Sequence, residues 1–166
     1  AHGLNSKRLL KQWAEIDQLN AKLRGIRILK GTEVDILEDG SLDYKDELLA
    51  GFDYVVASVH SRFAMPEAEM TARVCRAFAH PRVTMLGHAT GRLLLKREGY
   101  KLNLDEVLKA MGIPIVINPD AHSTGELALY SYGVNVARRG WLSKDDVFNT
   151  RPLPEVMKEL DRRKQP

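Results

Sequence analysis

The sequence predicts an α/β fold in which parallel strands alternate with helices along the chain. Two nearly continuous apolar runs, DYVVASV at 53–59 and IPIVIN at 113–118, are typical of strands buried on both faces. Between such runs, apolar residues recur at helical spacing, as in the segment that follows Pro66. This alternation indicates either an open parallel sheet or a barrel, and neither of the common glycine-rich nucleotide-binding motifs is present in the sequence.

The first half of the chain contains the signals for two helices and two strands. Ser6 is the expected N-cap of a helix that Gly25 ends, because Leu, Trp and Ile side chains recur there at helical spacing. The signals that follow are a strand at 26–29 continued by 32–36, a turn at Asp39-Gly40, a short helix at 43–50 and the strand at 53–59.

The second half continues the same alternation. Pro66 suits the first turn of a helix that runs to about residue 79. The elements predicted after it are a strand at 83–86, a helix at 104–111 capped by Asn103, the strand at 113–118, a short helix capped by Ser143, and a last helix that begins at Pro152 or Pro154.

Composition restricts the class of protein. A chain of 166 residues with 44% apolar and 28% charged residues is long enough for one globular domain and is not a disordered or disulfide-rich chain. The single cysteine, Cys75, the absence of an apolar leader at the start and the absence of a long apolar run predict a cytoplasmic protein without a membrane span. The net charge of +3 is compatible with a polyanionic partner.

Metal-ligating side chains follow four of the predicted strands. Their positions are Glu33, His60, His88 and the pair Asp120 and His122. Because the carboxyl ends of parallel strands in a barrel meet at one face, we expect these five side chains to converge there. Imidazole nitrogen and carboxylate oxygen suit Zn²⁺, Mn²⁺ or Fe²⁺, and five donors exceed the usual three protein ligands of one catalytic zinc. The pattern therefore predicts a catalytic site with more than one divalent metal ion.

Other polar residues receive weaker assignments. His80, before Pro81, is expected to have a structural role at a helix end, and Cys75 to be a buried, inert thiol. Asp35 shares a strand face with Glu33, and either orients a ligand or forms an ordinary salt bridge. Basic side chains that are candidates for binding substrate phosphate, with a solvated face as the alternative, are Arg92, Arg138 and Arg139.

Five motifs in order resemble a known family. They are G-T-E-V-D-I-L-x-D-G-S-L-D, Y-V-V-A-S-V-H-S, G-H-A-T-G-R, V-I-N-P-D-A-H-S and Y-G-V-x-x-A-R-R-G-W-L, and they extend over nearly the whole chain. Together they resemble the PHP (polymerase and histidinol phosphatase) domain, and in particular the variety at the C-terminus of bacterial family X DNA polymerases.

The resemblance implies a fold, a site and a function. It implies a distorted (β/α)₇ TIM-like barrel with a cluster of two or three divalent metal ions at the strand carboxyl ends. It also implies that Glu33 is the bridging carboxylate and that His60, His88, Asp120 and His122 are further ligands. The implied chemistry is metal-dependent phosphoester hydrolysis, with 3′–5′ exonuclease activity on DNA ends in repair, beside an N-terminal polymerase domain in the same polypeptide.

Two departures from the family pattern make residues 1–166 a single but partial domain. The sequence lacks the family's initial H-x-H motif and the D-H pair that follows it, and we expect that it starts downstream of both motifs. The family also places a strand and a helix between the positions of Ala110 and Met111, so we expect either a break or a true deletion at this junction. Two alternatives stay open: a histidinol-phosphatase-like enzyme for small molecules, and a metal-free domain that binds DNA or acts as a scaffold.

Overall fold

The structure is a computed structural model that describes residues 4–93, 95–111 and 115–163. The chain divides into two compact units, one comprising residues 1–111 with 163–166 and the other residues 112–162. The assignment of the whole chain to one PHP domain stays a prediction.

The first unit contains four helices and three strands. They are α1 (Ser6–Lys22), β1 (Gly31–Asp35), α2 (Asp46–Leu49), β2 (Tyr54–Ser58), α3 (Glu67–Phe78), β3 (Met85–Leu86) and α4 (Leu104–Met111). The second unit contains α5 (Tyr130–Arg139), α6 (Leu153–Arg163) and 3₁₀ turns at Thr124–Leu129, Lys144–Asp146 and Phe148–Thr150.

The three strands form one parallel sheet in the order β1-β2-β3. Glu33 is paired with Val56, and Val56 is paired with Met85, so one row of residues crosses all three strands. The parallel α/β class predicted from the sequence is therefore confirmed. The (β/α)₇ barrel is a finer statement, and it stays a prediction, because the described sheet has three strands.

The apolar core of the first unit lies between the sheet and its helices. Val34 from β1 and Ile36 directly after it, Val55 and Ala57 from β2, and Met70 from α3 are almost completely buried. Their alternation along β1 leaves Glu33 and Asp35 outside this buried set. The core therefore fixes one side of the sheet and leaves the acidic side chains of β1 available for chemistry.

The strand predicted at residues 26–29 does not form. Both polar groups of the Ile28 backbone are bonded to the Asn20 side chain, whose Oδ1 accepts from the Ile28 N–H and whose Nδ2 donates to its carbonyl, each at 2.8 Å. An amide side chain thus replaces a neighbouring strand, and β1 begins only at Gly31.

The prediction of a strand at residues 113–118 is wrong for residues 115–118, the part that the structure describes. Residues 113 and 114 lie outside the described residues, and Ile115 is 43% exposed and forms one isolated parallel bridge with Val147. Ile117 donates its N–H to Asn149 Oδ1 at 3.2 Å and accepts from Asn149 Nδ2 at 2.6 Å. The apolar run resembles a buried strand, but a side-chain amide again replaces a strand partner here.

Helix ends agree with the sequence except in detail. Asn5, rather than Ser6, caps α1 by accepting the Arg8 N–H at 3.0 Å, since an Asn amide oxygen serves this position as well as a hydroxyl does. Asn103 and Ser143 cap their helices as predicted. The short helix predicted at 43–50 is reduced to α2.

Helix α4 spans the junction between Ala110 and Met111, and the choice between a break and a true deletion at this position stays a prediction. No helix among the residues that can be described is both long and apolar enough to cross a membrane.

The burial of Met70 leads to a prediction about stability. Met70→Ala removes a fully buried side chain from α3, and we expect it to lower the free energy of unfolding by about 2–5 kcal/mol. Glu69→Ala, at the preceding and exposed position, is the matched control and is expected to change it by less than about 0.5 kcal/mol. Urea denaturation followed by circular dichroism measures both, and equal effects would contradict the assignment of this face to the core.

Candidate metal centre

The parallel register brings together three of the predicted ligands. Glu33 lies on β1, His60 follows β2 by two residues and His88 follows β3 by two residues. Because the three strands run in the same direction, the two histidines emerge at the same edge of the sheet. Three of the five side chains that the sequence predicts to converge therefore lie together in the structure.

The three side chains approach one another through single atoms. Glu33 Oε1 lies 3.1 Å from His88 Nε2 and 3.5 Å from His60 Nε2, and the two Nε2 atoms are 3.2 Å apart. All three side chains are 37–39% exposed, so solvent and a substrate can reach them.

These separations match the chemistry of a metal ion. Two ligand atoms that each lie about 2.0–2.1 Å from a tetrahedral zinc ion are about 3.3–3.4 Å apart. Two imidazole nitrogens and one carboxylate oxygen also form the usual donor set for Zn²⁺, Mn²⁺ or Fe²⁺. Glu33, His60 and His88 therefore fit a divalent metal ion in both spacing and donor type.

Asp35 contacts the His60 ring. Its Oδ1 lies 2.5 Å from His60 Nδ1, and a carboxylate at this atom favours a proton on Nδ1. The other ring nitrogen, Nε2, then directs its lone pair toward Glu33 and His88. Asp35 thus contacts a predicted ligand directly, and its role in orienting that ligand, as is common for histidines that bind metals, stays a prediction.

A second carboxylate extends this arrangement. Asp43 Oδ1 accepts the backbone N–H of Asp35 at 2.9 Å. Partial burial raises the pKa of the Asp43 carboxyl group, and the neighbouring Asp35 carboxylate acts in the same direction, while the hydrogen bond from Asp35 lowers it. Asp35 and Asp43 thus place two acidic groups next to the His60 ring.

Gly87 provides the space in which the cluster is built. A Cβ at this position would lie 2.1 Å from Ser58 Oγ and 3.3 Å from Glu33 Oε1, so a side chain does not fit. The Ser58 hydroxyl is fully buried and has no hydrogen-bond partner among the described residues. The next residue, His88, has a positive φ of 27°, a strained value for a residue other than glycine. Strain and an unpaired polar atom thus coincide at the site.

Asp120 and His122 belong to the second unit and form a local arrangement of their own. His122 Nδ1 faces the Asp120 carbonyl oxygen at 2.8 Å, which favours a proton on Nδ1 and leaves a lone pair on Nε2. The His122 N–H donates to Glu126 Oε2 at 2.6 Å and holds the pKa of Glu126 below its ordinary value. Asp120 has a positive φ of 51°. Their convergence with the other three ligands stays a prediction.

The structure also describes the other polar residues to which the sequence assigned a role. His80 Nε2 lies 3.2 Å from Asp46 Oδ1, consistent with the structural role expected for it. Cys75 is half-buried rather than buried as predicted, and its partial burial raises the pKa of the thiol. The guanidinium groups of Arg92, Arg138 and Arg139 are on exposed residues, and their role in binding phosphate stays a prediction.

Sequence reasoning did not identify Gly87 or Ser58 as parts of the site. The only local signal for Gly87 was its position directly before a candidate ligand, in the motif G-H-A-T-G-R. Ser58 gave no signal, because a small hydroxyl residue within an apolar strand has the same pattern whether or not it is paired.

Comparison with known proteins relates the chain to two groups. No protein-family model matches the chain. The chain is 37% identical over 191 residues to the protein of Bacillus subtilis (strain 168) named DNA polymerase/3′–5′ exonuclease PolX. This match covers 98% of the chain but only 34% of PolX, so the chain spans about a third of that relative's length.

The second group consists of proteins named probable phosphatases. One from Thermoanaerobacter sp. (strain X514) is 26% identical, over 87% of the chain and 74% of that protein. Another, from Syntrophotalea carbinolica, is 33% identical, over 76% of the chain and 66% of that protein.

The matched regions in two relatives are longer than this chain. The alignments with PolX and with the Thermoanaerobacter protein extend over 191 and 180 residues, although the whole chain has 166. The extra length agrees with the expectation that a segment of the family pattern is absent here.

The close packing at Gly87 predicts a selective loss of metal binding. Gly87→Ala places a methyl group against Ser58 and beside Glu33, and we expect the displaced side chains to weaken Zn²⁺ binding and to reduce stability by about 1–3 kcal/mol. Gly125→Ala is the control, because a Cβ there meets nothing within 4 Å. Calorimetric Zn²⁺ titration and thermal melting measure both. Unchanged Zn²⁺ binding in Gly87→Ala would show that the close packing around Gly87 is not needed for metal binding.

Proposed function

We propose that this chain, which belongs to the PHP family, hydrolyses phosphate esters with two or three divalent metal ions and, beside a polymerase domain, acts as a 3′–5′ exonuclease on DNA ends. The observation that carries the proposal is the grouping of Glu33, His60 and His88 through atoms 3.1–3.5 Å apart. The name of the Bacillus subtilis relative supports DNA as the substrate, and the net charge of +3 is compatible with it.

Each residue of the site has a task in this proposal. Glu33, His60 and His88 hold a divalent ion through Oε1 and two Nε2 atoms, and Asp120 and His122 complete the ligand set. Asp35 keeps the proton of His60 on Nδ1, so that Nε2 is free to ligate. Arg92, Arg138 and Arg139 are the candidates for binding the charged oxygens of the substrate phosphate.

The metal ions supply, when bound, a water of lowered pKa and neutralisation of the negative charge on the phosphate oxygens. The protein contributes position and access. The side chains of Glu33, His60 and His88 are sufficiently exposed for a phosphate group to approach them. We further propose that β1, β2 and β3 are consecutive strands of the distorted (β/α)₇ barrel that the resemblance implies.

A second candidate is a small-molecule phosphatase similar to histidinol phosphatase. It is favoured by the probable phosphatases, of which the chain covers 74% and 66%, compared with 34% of PolX. The same ligands serve both candidates, so the difference lies in the substrate.

Substitution of the ligands tests the metal-dependent reaction. In the full-length polypeptide that contains this chain, Glu33→Ala and His122→Ala are expected to lower the rate of Mn²⁺-dependent hydrolysis by at least about 100-fold. Each substitution removes a metal ligand that no neighbouring side chain replaces. His80→Ala is the matched control, since its ring is bonded to Asp46 outside the cluster. Near-normal turnover of either ligand variant at saturating Mn²⁺ would contradict its role.

A comparison of substrates separates the two candidate enzymes. The proposal expects release of nucleotides from a 3′-recessed DNA duplex to be faster than hydrolysis of histidinol phosphate at equal Mn²⁺ concentration. The reverse order would favour the small-molecule phosphatase. Absence of metal binding together with retained DNA binding would instead favour the metal-free scaffold.

A further inference from the structure

Arg73 is the one charged side chain among the described residues that is buried, with 1% of its surface exposed. It lies in the middle of α3, and helix α3 carries none of the metal ligands. A buried guanidinium is costly unless its N–H groups are bonded, so its partners indicate what it stabilises.

The partners of Arg73 are backbone oxygens from two segments that carry ligands. Nε donates to the Leu37 carbonyl at 2.8 Å, and Nη2 donates to the Ile36 carbonyl. Nη1 donates to the Ser61 carbonyl at 3.0 Å. The first two oxygens directly follow β1, which bears Glu33 and Asp35, and the third directly follows His60.

One planar group therefore ties the end of β1 to the loop after β2. The adjacent Arg62 has a positive φ of 59°, so the loop turns sharply directly after the residue that Arg73 holds. At the surface, the Arg62–Glu38 ion pair joins the same two segments at 2.7 Å. Both of its side chains are more than half exposed, so water and salt weaken it. The buried bridge is the stronger of the two constraints.

We propose that Arg73 is a positioning residue for metal binding. Its guanidinium group sets the distance between β1, which carries Glu33 and Asp35, and the loop that carries His60. This inference rests on the proposed metal-dependent function. Lysine retains the charge of arginine but has a single ammonium group, which cannot reach three carbonyls in one plane. Metal affinity should therefore depend on the shape of this side chain as well as on its charge.

Calorimetric titration of the chain with Zn²⁺ alone tests the proposal. Arg73→Lys is expected to weaken Zn²⁺ binding by about 10-fold or more, the range found when residues that orient ligands are changed. Arg76→Lys is the matched control on the same helix, since Arg76 is exposed and its bond to the Asp39 carbonyl does not reach the segment after His60. Val74→Ala controls for lost stability, because Val74 is fully buried and apolar. Both controls should bind Zn²⁺ as the unchanged chain does.

The outcomes separate the positioning role from the function on which it depends. If the unchanged chain binds Zn²⁺ and Arg73→Lys binds it equally well, the role of Arg73 is overturned and the metal centre stands. If the unchanged chain does not bind Zn²⁺, both are overturned. If Val74→Ala loses as much affinity as Arg73→Lys, the effect is one of general stability and the positioning role is overturned.

A second measurement needs no variant and applies even if Arg73→Lys does not fold. Coupling between two sites is reciprocal, so if the bonds of Arg73 strengthen metal binding, the metal must strengthen those bonds. Zn²⁺ is therefore expected to slow hydrogen exchange at the Arg73 Nε–H several-fold, as followed by ¹⁵N NMR. Unchanged exchange in the presence of bound Zn²⁺ would overturn the proposal.

Discussion

The fixed register of three short parallel strands is the constraint on which the site depends. Glu33, Val56 and Met85 form one row across the sheet, and His60 and His88 leave their strands two residues beyond β2 and β3. A slip of one residue in β1 would turn Glu33 toward the core and Val34 toward the ligands. Since Val34 is almost completely buried, the core resists that slip. The apolar side of the sheet thus determines the geometry of the polar side.

The site combines features that are unfavourable for folding alone. Three lone-pair-bearing atoms of Glu33, His60 and His88 lie within 3.1–3.5 Å, beside a strained backbone at His88 and an unpaired buried hydroxyl at Ser58. Such features persist only where the surrounding structure holds them. A cation shared by the three atoms would hold them together through their lone pairs. The arrangement that lowers local stability is therefore the same arrangement that favours binding of a metal ion.

Sequence patterns predicted the parallel α/β class, most helices and the grouping of Glu33, His60 and His88, because strand order and direction follow from alternation. The patterns predicted strands wrongly where a side chain took the place of a strand partner. Asn20 forms hydrogen bonds with the backbone of Ile28, and Asn149 forms them with the backbone of Ile117. Apolar periodicity describes the strand itself and contains no information about its neighbour. Contacts that join distant segments through backbone oxygens, such as those of Arg73, have no sequence pattern, because any residue supplies a carbonyl group.

The order of the elements along the chain has a consequence for synthesis. The strands pair only with neighbours in sequence, and the apolar core that supports them extends from Leu9 to Val107. Contacts of this modest sequence separation form early, and chains fold from the N-terminal side as they leave the ribosome. Glu33, His60 and His88 all precede the second unit, so these three of the five predicted ligands can assemble before residues 112–162 have been translated. A nascent chain would then be able to acquire its first metal ion during translation.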